Sequence, residues 1–160
     1  LNQGIGGNTV LSGGLGPTAL TRFDGDVLKQ SGVQWLIVLE GVNDIGGSSS
    51  SAVATSLIDA YKQFVTKAHS ANLRVYGVPI LPFNGNGYYS VAHESARKTV
   101  NEWIRTPGNF DAVLDLDAAV RDPQSPDRLL PTYDSGDHLH LSPAGYQKMA
   151  DAIALTLFTP

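Results

Sequence analysis

Val33-Gln34-Trp35-Leu36-Ile37-Val38-Leu39-Glu40-Gly41-Val42-Asn43-Asp44 is the stretch that decides the fold class. Residues 33–39 form a nearly continuous apolar run, β-branched in part and bounded by Gly32 and Gly41. Such a run reads as a strand buried on both faces, as in the interior of a parallel sheet. It breaks directly into the polar turn Glu40-Gly41-Val42-Asn43-Asp44. In parallel sheets ligands bind beyond the carboxyl ends of the strands, so this turn lies where chemistry is expected.

Outward from this run, strand-like and helix-like stretches alternate. Residues 73–80 and 112–116 read as further strands, and residues 1–4 as the tail end of another. Leu20, Phe23, Val27 and Leu28 recur at helical spacing after Pro17. Leu57, Tyr61, Phe64, Val65 and Ala68 stripe a helix over about residues 51–71, fed by the loop of Gly46, Gly47 and Ser48 to Ser51. Val91, Ala96, Val100, Trp103 and Ile104 mark another helix. Ser142-Pro143 opens a last one through Tyr146, Met149, Ile153 and Leu157. This order predicts an α/β fold, a single domain over residues 1–160, with helices on both faces of a parallel sheet.

Composition narrows the function classes. The chain has 160 residues, is 42% hydrophobic and carries a formal charge of −4, so a packed core is expected. No basic run occurs, which disfavours nucleic acid or an anionic membrane surface as partner. No apolar run approaches the roughly 18 residues of a membrane span. There is no cysteine, which removes disulfides, zinc ribbons and thiol nucleophiles.

Three segments that follow strands can carry chemistry. In Asn2-Gln3-Gly4-Ile5-Gly6-Gly7-Asn8, clustered glycines turn the backbone tightly and expose N–H groups, as an oxyanion cradle or as an ordinary turn. Asn43 can aim an amide N–H at a developing oxyanion, or can end its strand in an Asx turn. In Asp137-His138-Leu139-His140, the carboxylate can accept from His140 Nδ1–H and leave Nε2 as a base. The same segment also reads as two surface histidines, or as a metal site of Asp137, His138 and His140.

Together the three segments resemble the SGNH hydrolases, also called GDSL esterases and lipases. Asn-Gln-Gly-Ile-Gly-Gly-Asn resembles the second family motif, Gly-Val-Asn-Asp the third and Asp-His-Leu-His the fifth, in the family's order. The resemblance implies a three-layer α/β/α sandwich with a flavodoxin-like sheet. It also implies a backbone N–H of Gly7 and the amide of Asn43 in an oxyanion hole, His140 as general base and Asp137 as its orienter. No metal and no cofactor are implied. The look is closest to small secreted carbohydrate acetylesterases.

One family element does not occur. The nucleophile motif Gly-Asp-Ser is absent, as is any Gly-x-Ser-x-Gly elbow. Ser135 is two residues before Asp137 and reads as a turn residue. The first strand of the fold, central in its sheet, is therefore expected on an upstream segment of roughly 30–50 residues, either continuous with this sequence in a longer chain or cut from it as an N-terminal fragment that stays bound.

Other residues receive simpler readings. His93 is expected to be solvent-exposed and His69 to lie near a helix C-terminus. Trp35 and Trp103 read as packing, and Asp115 and Asp117 as the end of a strand. The aromatic loop of residues 83–89 follows a strand, and Phe83 and Tyr88, with Asn8, are candidate substrate contacts. The expected function is a secreted serine esterase acting on short acyl, chiefly acetyl, esters of carbohydrate. The alternatives are a carbohydrate-binding protein without turnover on the same fold and a metal-dependent hydrolase.

Overall fold

The computed structural model describes residues 1–159. Strands β1 (Trp35–Val38), β2 (Arg74–Gly77) and β3 (Ala112–Val113) form a parallel sheet in that order. The helices are α1 (Ala19–Phe23), α2 (Val42–Gly47), α3 (Val53–Ser70), α4 (Val91–Arg105), α5 (Leu116–Val120) and α6 (Pro143–Asp151). A 3₁₀ turn (Leu155–Phe158) follows α6.

The pleat of β2 sorts its side chains into two cores. Val75 packs with Leu57, Phe64, Val100 and Ile104, so α3 and α4 cover one face. Tyr76 packs with Trp35, Leu114, Met149 and Phe158, so α6 and the 3₁₀ turn cover the other. The result is the three-layer α/β/α arrangement. Helix starts follow local chemistry: Ser90 caps α4, and Ser142 caps α6 with Pro143 in the first turn. Among the described residues no helix is long and apolar enough to cross a membrane.

Several expectations need correction. Residues 1–4 form no strand, and Leu1 is 91% exposed. β1 is not buried on both faces: Ile37 is 43% exposed, because the outer edge of β1 pairs with no strand among the described residues. Beside that edge runs a groove of about 670 Å³, floored by Trp35 to Leu39 with Phe23, Phe64 and Phe158. The helix after Pro17 ends at Phe23 and widens into a π turn (Asp24–Leu28). The last helix ends at Asp151, and the 3₁₀ turn brings the Phe158 ring 5.4 Å from Tyr76 and 6.0 Å from Trp35.

Gly46 and Gly47 belong to α2 rather than to a loop. Gly41 makes that helix possible: its φ of 110° turns the chain abruptly out of β1, and a Cβ there would lie 2.7 Å from the Tyr61 hydroxyl. Asp117 does not end a strand. It lies in the first turn of α5, 1% exposed, and its carboxylate accepts from Arg97, Arg105 and Arg121. Arg97, 3% exposed, also pairs with the buried Glu94. A buried carboxylate is tolerated here because guanidinium donors satisfy it.

Candidate active site

The site lies where the strands release the chain. Val38 ends β1, Gly41 turns it, and Asn43 emerges in the first turn of α2. Its neighbour Asp44, 7% exposed, accepts from the backbone N–H groups of Val10 and Leu11, each at 2.9 Å. This carboxylate staples the glycine-rich segment to α2. Burial pushes the Asp44 carboxyl up, and the backbone donors oppose that shift.

Asn43 Nδ2 donates to the backbone carbonyl of Asn8 at 2.8 Å. Among the described residues its second N–H has no acceptor. Gly7, the residue before Asn8, sits at a φ of 72° and is exposed, and its own N–H is likewise without an acceptor among the described residues. Asn43 is thus bonded to the residue that follows Gly7, and each segment offers one neutral donor of the kind a developing oxyanion requires.

The base segment precedes α6. His140 Nδ1 lies 2.6 Å from Asp137 Oδ2, which fixes the tautomer and leaves Nε2 unoccupied. Asp137 Oδ1 accepts from the N–H groups of Leu139 and His140 and from Ser135 Oγ. The His140 ring and then these backbone donors hold the Asp137 carboxyl well below the usual carboxylate range. Ser135 faces Asp137, not His140 Nε2, so its hydroxyl is not poised for attack.

His138 makes a separate pair. Its Nδ1 lies 2.5 Å from Asp134 Oδ2, and its backbone adopts a φ of 61°. Partial burial pushes the Asp134 carboxyl up, but the Gly136 N–H and the ring and backbone N–H of His138 outweigh it and hold the carboxyl low. The two histidines therefore turn to different carboxylates. No three His, Asp or Glu side chains are grouped to hold a metal ion among the described residues, so the ligand set Asp137, His138 and His140 does not assemble.

A family model described as GDSL-like lipase/acylhydrolase matches residues 1–148. The chain belongs to that family. Its chemistry is accordingly the hydrolysis of carboxylic esters. Among solved structures, a catalytic mutant of an acetylxylan esterase from Geobacillus stearothermophilus aligns with a TM-score of 0.69 at 20% identity, over 95% of this chain and 68% of that one. A protein described as lipolytic and of the G-D-S-L family, from Desulfitobacterium hafniense DCB-2, aligns with a TM-score of 0.68 at 23% identity, over 84% of this chain and 70% of that one. A GDSL-like lipase from Bacteroides thetaiotaomicron gives 0.67 at 17% identity, over 87% and 68%. These likenesses establish the fold. No curated protein matches the chain.

In this GDSL-like acylhydrolase, three expected substrate contacts have other work. Asn8 is fully buried: Nδ2 donates to the carbonyls of Leu15 and Pro17, and Oδ1 accepts from Arg22. Phe83 is also fully buried, packed edge-on against Tyr89. The Tyr88 hydroxyl reaches Asn43 Oδ1 at 3.3 Å. Nor is His93 free in solvent. Its half-buried ring lies between the carbonyls of Tyr88 and Ser48, at 2.6 and 2.9 Å.

Residue-by-residue reading missed Asp44, Asn86 and Asp134. Asp44 carried a signal, since an aspartate beside a strand-ending asparagine is a ready acceptor for nearby backbone N–H groups. Asp134 carried one too, because it accepts from N–H groups two and four residues on, as a turn aspartate does. Asn86 acts across 51 positions, and no local pattern marks it.

Proposed function

We propose that this protein is a serine esterase that removes short acyl groups, chiefly acetyl, from carbohydrate. The observation that carries the reading is the Asp137–His140 pair at 2.6 Å, with Nε2 unoccupied. The nucleophile is a serine on an N-terminal segment outside these 160 residues, seated as a further parallel strand along the open edge of β1. The groove there supports this, because its floor is apolar and the strand edge is unpaired.

The serine Oγ attacks the ester carbonyl carbon while His140 Nε2 takes its proton. The carbonyl electrons move to oxygen, which accepts from Gly7 N–H and Asn43 Nδ2. As the tetrahedral intermediate collapses, the alcohol leaves with the proton from His140. Water then adds to the acyl-enzyme and gives a proton to His140. The second collapse frees the acid, and the proton returns to the serine.

The acetyl preference draws on the acetylxylan esterase likeness and on the lack of an extended apolar lid segment in the sequence. A polymeric carbohydrate substrate, too large to enter a cell, goes with a secreted enzyme. The test is hydrolysis by the chain joined to its serine-bearing segment. Para-nitrophenyl acetate is expected to be cleaved far faster than the octanoate, acetylated xylo-oligosaccharide to release acetate, and His140→Ala to do neither. Sugar binding without turnover would overturn the reading in favour of a binding protein.

A further inference from the structure

One loop touches both halves of the candidate site. Asn86 Nδ2 donates to the backbone carbonyl of Asp137 at 2.9 Å. Asn86 Oδ1 accepts from the N–H of Tyr88 at 3.0 Å. The Tyr88 hydroxyl donates to Asn43 Oδ1 at 3.3 Å. A continuous hydrogen-bonded path thus runs from the base segment to the amide of the oxyanion pair.

Tyr88 is held from two further sides. His93 Nδ1 lies against its carbonyl, and the other ring nitrogen ties the same histidine to Ser48, just after α2. Gly46 supplies the space: a Cβ at that position would lie 2.1 Å from Tyr88 Cγ. The ring therefore rests against the backbone of α2, beside the residue its hydroxyl reaches.

An asparagine amide can rotate, and its two ends are not equivalent. The carbonyl of Asn8 is only an acceptor, so Nδ2 must face it. The Tyr88 hydroxyl engages the opposite end. With both ends engaged, the remaining N–H of Asn43 points in one direction. Donation to Oδ1 also polarises the amide and strengthens its N–H as a donor.

We propose that Tyr88 is a positioning residue for ester hydrolysis: its hydroxyl fixes the rotation of the Asn43 amide, and its link to Asn86 fixes that amide relative to the Asp137–His140 pair. The proposal rests on the esterase reading above. It replaces the expectation that Tyr88 binds substrate directly.

The test is Tyr88→Phe, which removes the hydroxyl and keeps the ring. In the complete enzyme with para-nitrophenyl acetate, kcat is expected to fall about tenfold with KM unchanged, the size of one hydrogen bond made to a transition-state donor. In an Asn43→Ala background the same change is expected to have no further effect. An equal loss in both backgrounds, or a raised KM at unchanged kcat, would overturn the proposal. A second readout needs no activity. In nitrogen-15-labelled protein the Asn43 side-chain amide signals are expected to shift and to exchange faster with solvent in Tyr88→Phe. Unmoved signals would overturn the positioning itself, whereas a wild-type enzyme that hydrolyses no ester would overturn the parent reading.

Discussion

Asn43 Nδ2 donates to the carbonyl of Asn8 across 35 positions of sequence, and the next residue, Asp44, clamps Val10 and Leu11. Two adjacent side chains of α2 thus grip one segment from both ends. The grip ties α2 to the segment that directly follows Gly7, the other donor invoked in the proposed mechanism.

Asn43→Ala is expected to lower kcat about 10²–10³-fold with little change in KM, because the lost donor acts on charge that develops only in the transition state. Steady-state kinetics on an aryl acetate checks this. An unchanged kcat would remove Asn43 from the role.

Asp44→Ala is expected to act on stability first. It leaves the buried N–H of Val10 and the partly buried N–H of Leu11 without an acceptor, and an orphaned buried donor costs roughly 1–3 kcal/mol. Urea denaturation is expected to show a loss of at least about 2 kcal/mol.

The legible parts of this molecule are those with a local signature. The apolar run into Asn43 marked the β1 exit, and Ser142-Pro143 marked α6, because caps and periodicity act over a few residues. The illegible parts are long-range. Whether residues 33–39 are covered depends on what lies beside β1, so their apolar character overstated the burial of Ile37. Asp117 looked like a strand end because its three arginine partners are distant in sequence or on another turn. Asn8, Phe83 and Tyr88 stood near the site in sequence, yet burial and hydrogen bonding in the folded chain decide which side chains are free.

Asp137→Asn is expected to preserve the fold and lower kcat by about 10⁴, since an amide cannot hold His140 in the required tautomer. The depressed carboxyl also has a consequence for stability. A carboxylate whose folded pKa lies below the unfolded one stabilises the fold above the unfolded pKa and loses that effect as pH falls through the folded value. Below about pH 4, acid titration is expected to unfold the wild type over a range that Asp137→Asn lacks in part.

Asp117→Ala is expected to be among the most destabilising single changes. It strands Arg97, which is 3% exposed, and removes the shared partner of Arg105 and Arg121. Breaking one side of a buried ion pair costs about 3–5 kcal/mol. A denaturation midpoint within experimental error of wild type would show that Glu94 alone satisfies Arg97.

Glu40 works in the opposite sense from Asp137. Burial at the end of β1 raises its carboxyl from 4.5 to about 7, although the Arg22 guanidinium 3.3 Å away pulls it partly back. Between these values the folded chain holds a proton that the unfolded chain has released. Stability therefore falls as pH rises through that window, the reverse of the paired carboxylates. Glu40→Gln keeps the size of the side chain and removes the titration. Urea midpoints at pH 5 and pH 8 are expected to separate for the wild type and to draw together in the variant, with the variant the more stable at pH 8. Equal separation in both proteins would assign the pH dependence to another group.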